Sequence, residues 1–136
     1  MRRVLILLLA AAAFPAAAQT PPAPGKPVTI DATLTGQPIR AAPGDLRVSI
    51  SQVELPAGGR LAAHKHPYAR VVNVLAGRLR VINLDTGDVR EVAAGDWVVD
   101  AVEQWHEASV VGPEPVRLIT IDLAPPGAPV TIQRTP

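Results

Sequence analysis

Short apolar segments recur about every ten residues from residue 27 onward, with glycine, proline or aspartate between them. Beyond the N-terminus, no stretch of helical length carries apolar residues at the i, i+3, i+4 and i+7 positions of an amphipathic helix. Strands with this spacing and these turn residues are typical of β-sandwiches and barrels. The sequence therefore predicts an all-β fold, with strands at residues 28–33, 46–55, 69–75, 78–84, 89–92, 97–100, 106–111, 116–123 and 130–133.

The alternation within residues 46–55 leaves two strand registers open. Leu46 and Ile50 share one face, and continuing in phase with them would turn Glu54 towards the interior. A β-bulge would reverse the register and place Val53 and Leu55 inside instead. In the first register Glu54 is a candidate ligand-binding residue, although a buried carboxylate needs a partner that offsets its desolvation.

The N-terminus has the layout of a secretory signal peptide. Arg2 and Arg3 precede an apolar run at residues 4–14, and the small residues 16–18 provide a cleavage site. The run is too short to span roughly 30 Å of hydrocarbon as a helix. We therefore expect cleavage after Ala18 and a periplasmic or secreted protein. A proline-rich leader at residues 19–26 and one β-barrel domain at residues 27–136 would follow.

Charge and cysteine content exclude several classes of partner. Removal of Arg2 and Arg3 would leave eleven Lys and Arg against twelve Asp and Glu, a net charge of −1. No basic cluster is present, so the composition does not favour binding to nucleic acid or to an anionic membrane. The chain has no cysteine, which excludes disulfides and a lipid anchor on a cysteine after the signal peptide.

The chain has three histidines, and their spacing predicts a metal site. His64 and His66 are two residues apart, so on a strand both imidazoles face the same side. His106 from a neighbouring strand would complete a face of three nitrogen donors for a divalent metal ion. Imidazole ligands suit iron, zinc, copper and nickel alike, and manganese is a further candidate, so the residues do not identify the metal.

The histidine segments resemble the two motifs of the cupin superfamily over residues 44–124. The first motif, G-x5-H-x-H-x3,4-E-x6-G, is matched by Gly58, His64, His66 and Gly77. The second, G-x5-P-x-G-x2-H-x3-N, is matched by Gly95 and His106, while Ala101, Glu103 and Val110 replace its Pro, Gly and Asn. The resemblance implies a single double-stranded β-helix (jelly-roll) barrel that binds a divalent metal through His64, His66 and His106.

Arg70 stands where the cupin motif has its glutamate ligand. A guanidinium offers only donors and cannot ligate a metal. At about 5 Å and an effective dielectric of 20, its repulsion of a divalent ion is on the order of 6 kcal/mol. Three arrangements follow. Arg70 clamps an anionic ligand over a three-histidine metal, or no metal binds and the pocket is cationic. In the third, Arg70 pairs with Glu54, Glu103 or Glu107, and a carboxylate from elsewhere serves the metal.

Two functions follow from the resemblance and from Arg70. The first is a metal-dependent, dioxygenase-like oxidoreductase acting on a small anionic molecule, and the second is a non-catalytic binding protein for a metal or a small anion. Candidate substrate-binding residues are Arg70, Glu54, Tyr68 and Trp105. The segments at 28–33 and 116–123 carry more apolar residues than one core face needs, which favours a homodimer.

Overall fold

Nine β-strands form the regular structure of residues 25–135, the part of the chain that the computed structural model describes. They are β1 (Arg47–Leu55), β2 (Arg60–Lys65), β3 (Arg70–Ala76), β4 (Arg78–Asn83), β5 (Val89–Ala93), β6 (Trp97–Val99), β7 (His106–Val110), β8 (Val116–Ala124) and β9 (Ile132–Gln133). The predicted all-β fold is confirmed. Among the described residues, no helix is long and apolar enough to cross a membrane. The predicted signal peptide (1–18) and leader residues 19–24 lie outside this range.

The strands build two antiparallel sheets with the core between them. One sheet has the order β1-β8-β3-β6 and the other β5-β4-β7-β2-β9. The buried core draws on both sheets, with Val72, Val74, Val116 and Leu118 from the first and Leu79 from the second among its members. This arrangement places β2 and β7, which carry histidines, opposite β3 and β8.

Two strand predictions differ from the structure. Residues 28–33 form no strand; instead Ala32 makes an isolated bridge with Pro38, and Gly36 with a φ of 81° reverses the chain between them. The hairpin-like loop is tied to β6, because Leu34 N–H donates to the Val99 carbonyl at 2.8 Å. Strand β2 is absent from the predicted set because its sequence, RLAAHK, is poor in β-branched residues.

The register of β1 is the one that turns Glu54 outward. β1 pairs with β8 without interruption from Arg47↔Ala124 to Leu55↔Val116, so no bulge is present. Leu55 is buried in the core, while Glu54 is exposed. Of the two registers that the alternation leaves open, the one with an inward Glu54 is therefore not observed. That register requires the apolar residues preceding Glu54 to face the core, whereas Ile50 pairs with Ile121 on an outer face that is itself apolar.

Candidate metal centre

The three histidines meet inside the barrel. His64 lies on β2 and His106 at the start of β7, and the antiparallel register pairs them directly. His66 follows β2, in an isolated bridge with Val102. All three are buried, and one ring nitrogen from each lies within 4.8 Å of the others. Their ring centroids are 4.4–5.1 Å apart. The predicted convergence of the three imidazoles in one place is therefore observed.

Backbone carbonyls fix the tautomer of each ring. The Nδ1 atoms contact carbonyl oxygens as follows: His64 with Ala62 at 2.7 Å, His66 with Val130 at 2.9 Å and His106 with Gln104 at 2.9 Å. A carbonyl oxygen only accepts, so each Nδ1 must carry the proton. Each Nε2 is then the unprotonated nitrogen, and that of His66 accepts a hydrogen bond from Nη1 of Arg70 at 3.4 Å. Such an N–H to carbonyl contact is the usual support of a metal-binding histidine.

Burial keeps these imidazoles neutral. Desolvation lowers the pKa of His64 and of His106 below the usual 6.5. For His66, burial and then the positive charge of Arg70 lower the pKa to about 3. At neutral pH the Nε2 atoms are therefore unprotonated, so a cation displaces no proton from them, although at His66 it displaces the hydrogen bond from Arg70. The donor set and its protonation fit a divalent metal ion.

Arg70 is held by a carboxylate that the sequence did not indicate. Its Nε and Nη2 atoms donate to the two oxygens of Asp122 at 2.7 and 2.9 Å, a paired geometry. Nη2 also donates to Thr131 Oγ1 at 3.1 Å. The pair arises from register, since Arg70 on β3 lies opposite Asp122 on β8. Its Nη1 lies 3.4 Å from His66 Nε2. Asp122 therefore neutralises the charge that Arg70 brings to the histidines.

Arg70 pairs with Asp122 and not with one of the three glutamates that the sequence analysis considered. Glu103 pairs instead with Lys65 near the surface. Glu54 faces outward opposite Arg117, and Glu107 lies opposite Ile82. The idea that a carboxylate neutralises Arg70 is correct, but the carboxylate comes from the inner face of β8.

Asp100 places a second carboxylate beside the histidines. It follows β6, and its Oδ2 lies 3.5 Å from His66 Nε2 with 14% of the side chain exposed. Burial raises the pKa of Asp100 to about 6, with Arg70 and then His64 acting in the opposite direction. The site combines three neutral imidazoles with one carboxylate that Arg70 does not bind.

Asp100 and Asp122 are the site residues that sequence reasoning missed. Both carry a detectable signal, because each is an acid in phase with residues that face the interior. Asp100 follows Val98 at a spacing of two, and Asp122 continues the inward row of Leu118 and Thr120. An acid in such a row needs a cation or hydrogen-bond donors inside the fold.

Three predicted ligand-binding residues do not line the cavity next to the histidines: Glu54, Tyr68 and Trp105. Trp105 lies under two cations at the surface, with Lys65 Nζ 5.4 Å and the guanidinium carbon of Arg134 5.7 Å from its ring centre. Tyr68 is partly buried outside the cavity wall. Of the predicted substrate-binding residues, Arg70 is the one that lines the cavity.

The cavity has a polar end and an apolar body. Its volume is about 240 Å³, and the histidines, Arg70 and Asp100 occupy one end. Apolar side chains form the remaining wall, among them Leu34, Val53, Leu61, Val81, Val98 and Leu118. A cavity of roughly 150 Å³ with apolar walls already holds benzene. This cavity can therefore hold a molecule of at least that size with its polar group at the histidines.

Comparison with known families agrees with the fold and the site. Residues 51–122, more than half of the chain, match the family model described as Cupin domain. With two sheets and the three histidines at the motif positions, the chain belongs to the cupin family. Its fold is the double-stranded β-helix. No curated protein matches the chain.

Several solved structures share this fold. An uncharacterized conserved protein with a double-stranded β-helix domain from Klebsiella pneumoniae subsp. pneumoniae MGH 78578 is 23% identical, with a TM-score of 0.53 over 69% of this chain and 88% of that one. Oxalate decarboxylase from Lactobacillus farciminis, in a formate complex, is 23% identical, with a TM-score of 0.55 over 63% and 26%. A recombinant oxalate oxidase in complex with glycolate is 28% identical, with a TM-score of 0.53 over 63% and 45%.

Proposed function

We propose that this protein binds one divalent metal ion through His64, His66 and His106 and receives a small anionic molecule beside it. The observation that carries the proposal is the convergence of three neutral imidazoles within 4.8 Å, each with its Nδ1 proton held by a carbonyl. Neutral imidazoles in a buried, supported set favour binding of iron, zinc, copper, nickel or manganese, and the set does not select one of them.

Charge balance supports a ligand with one anionic group. The charges of Arg70 and Asp122 cancel each other. The two positive charges of a divalent ion would therefore be only partly neutralised, by the single negative charge of Asp100. The remaining positive charge matches one carboxylate or a similar group. The apolar body of the cavity favours an apolar remainder for that ligand. The oxalate oxidase of similar structure, 28% identical, is in complex with glycolate, a small carboxylate.

The chemistry we propose is oxidation of this anionic molecule. A redox-active metal in the site would supply open positions for the substrate and for dioxygen. The chain's own residues orient and shield the reactants. Thr120 and Thr131 place hydroxyl groups on the wall, and apolar residues such as Val98 and Leu118 exclude water from the rest of the cavity. Nη1 of Arg70, the guanidinium nitrogen not bonded to Asp122, can donate to an anion beside His66.

Removal of a histidine tests the metal site. We expect His64→Ala and His106→Ala each to lose most of the bound metal while circular dichroism shows the β-fold unchanged. Elemental analysis of untagged protein from its own host, followed by calorimetric titration, measures the loss. Lys65→Ala is the matched control, because Lys65 lies between two of the histidines and contacts Glu103 outside the cavity. Stoichiometric metal in either histidine variant would show that the three do not share one site.

A binding role without turnover is the second candidate. The small number of carboxyl groups that could act as a general acid or base favours this role. Among residues 25–135, Asp100 is the one carboxylate that lines the cavity. Asp122 is immobilised by Arg70. Oxygen uptake by the metal-loaded protein with glycolate, or with a monocarboxylate that carries an apolar group, separates the two roles. Ligand binding without uptake would favour the binding protein.

We also propose that the protein is exported. The support is the basic start, the apolar run at residues 4–14 and the small residues before Gln19. We expect the intact mass of protein from the periplasm or the medium to correspond to a chain beginning within two residues of Gln19. A mass that retains Met1 to Ala18 would contradict export by cleavage.

We also propose that the protein forms a homodimer through the outer face of the β1-β8-β3-β6 sheet. This face presents the cross-strand pair Ile50 and Ile121, and beside it Val48, which is 58% exposed, while Ile50 is 70% exposed. Such apolar exposure on neighbouring positions is typical of surfaces that are covered in the assembly. Sedimentation of the purified protein measures the assembly state.

A further inference from the structure

The side chain of Asp100 lies beside the histidines, and the three-histidine metal site proposed above does not include it. It follows the short strand β6, and its backbone N–H donates to the Arg70 carbonyl at 3.0 Å, which fixes it next to β3. From there its side chain enters the cavity, and Oδ2 lies 3.5 Å from His66 Nε2. A carboxylate is thus present beside the ligand nitrogens, but on a different strand from the one where the cupin motif carries its glutamate.

The carboxylate of Asp100 lacks partners of its own. Asp122, which is buried beside Arg70, accepts two hydrogen bonds from its guanidinium. Within residues 25–135, the Asp100 carboxylate accepts no hydrogen bond, and its oxygens open into the cavity. A carboxylate in such a setting is costly to ionise unless a cation or donors accompany it. His66 Nε2, which lies 3.5 Å from Oδ2, is the unprotonated ring nitrogen and offers no proton.

The separation of the two atoms suits a shared ion. Neighbouring ligands that are each about 2.1 Å from a metal ion lie about 3.4 Å apart in tetrahedral coordination and about 3.0 Å apart in octahedral coordination, which would leave open positions beside four protein ligands. The 3.5 Å between Asp100 Oδ2 and His66 Nε2 is close to these spacings. Among the described residues, the ligand atoms within 4.8 Å of one another belong to the three histidines, so ligation by Asp100 requires its side chain to move towards His64 and His106. We propose that Asp100 is the fourth protein ligand of the metal site, in place of the glutamate that Arg70 replaces. This inference depends on the proposed function, because it requires that the three histidines bind a metal.

Asp122 and Asp100, which the sequence analysis did not single out, then have separate roles. Asp122 neutralises Arg70 and has no free oxygen for a metal. Asp100 neutralises part of the charge of the ion. The ligand set then consists of three nitrogens and one oxygen, with the oxygen supplied from β6 and not from β3.

Cobalt(II) provides the test, because a thiolate bound to it gives a near-ultraviolet charge-transfer band. The chain has no cysteine, so an introduced cysteine is the one thiol present. We expect Asp100→Cys loaded with cobalt to show the band. Val98→Cys is the matched control, because Val98 lines the same cavity about 7 Å along the strand from Asp100. That variant should bind cobalt without the band.

Affinity gives a second readout. Asp100→Asn keeps the shape but loses the charge, and we expect its dissociation constant for cobalt to rise more than about 100-fold, beyond the usual effect of a supporting residue. If cobalt saturates Asp100→Cys without producing the band, or if Asp100→Asn binds cobalt as tightly as the parent, Asp100 is not a ligand. If the parent protein itself binds no cobalt, the proposed function fails first, which is a separate result.

Discussion

Replacement of Asp122 by alanine should lower the free energy of unfolding by about 3–5 kcal/mol, the cost of leaving one member of a buried ion pair without its partner. The Arg70 and Asp122 side chains are only 15% and 6% exposed. In the variant, the guanidinium would remain inside the barrel beside three imidazoles, with Thr131 Oγ1 and His66 Nε2 as its remaining hydrogen-bond acceptors. Urea denaturation of metal-free protein measures the change.

Two further variants control this result. The Lys65–Glu103 pair is more exposed, at 23% and 54%, so Glu103→Ala should cost less than about 1 kcal/mol. The double replacement Arg70→Met with Asp122→Leu removes both charges, and such exchanges are often neutral or stabilising. We therefore expect it to recover most of the stability lost in Asp122→Ala. A loss below about 1 kcal/mol in Asp122→Ala would mean that water reaches the pair.

Alanine at Gly77 should destabilise the fold by roughly 2–5 kcal/mol, through backbone strain and overpacking together. Gly77 connects β3 to β4 with a φ of 75°, a conformation that side chains disfavour. An added Cβ would lie 2.5 Å from the Pro115 carbonyl oxygen and 2.8 Å from Val116 Cγ2. Val116 is fully buried at the start of β8, so neither neighbour can move away easily.

A control substitution at Gly87 distinguishes the cost of backbone strain from the cost of overpacking. It has a similar φ of 78°, but a Cβ there would meet no atom within 4 Å. Gly87→Ala should therefore cost only the strain of about 1–2 kcal/mol. Thermal and urea unfolding of both variants give the difference between them, which measures the close approach at Gly77. Equal losses in the two variants would show that the β3–β4 connection yields to the added methyl group.

Much of the fold follows from local patterns in the sequence. The turn residues and the short apolar runs predict most strands within one or two residues of their observed ends. Local patterns fail where tertiary contacts decide. Residues 28–33 have the composition of a strand, yet the turn at Gly36 and the bond from Leu34 to Val99 hold the segment as a loop. β2 has weak strand propensity and forms because β7 lies beside it.

The three imidazoles of the candidate site are predictable from the sequence, whereas its charged groups are not. The spacing of His64 and His66 and the match of His106 to the second motif identify the three imidazoles from sequence alone. The partners of Arg70 and the location of Asp100 depend on which strands are neighbours. Arg70 meets Asp122, 52 residues away, only through the β3–β8 register. The outward turn of Glu54 depends on an apolar outer face that the alternation in β1 does not reveal.

The last residues of the described chain couple the site to the C-terminal segment. The Val130 carbonyl accepts the Nδ1 proton of His66, Thr131 accepts from Arg70, and β9 closes onto β2. An ion bound at His66 and the docking of this segment therefore stabilise each other to the same extent, because coupling between two equilibria is reciprocal. Release of the segment would free the His66 ring to rotate and would open the polar end of the cavity. If an ion binds at His66 as proposed, we expect the docked state of the C-terminal segment to become more populated as the site fills.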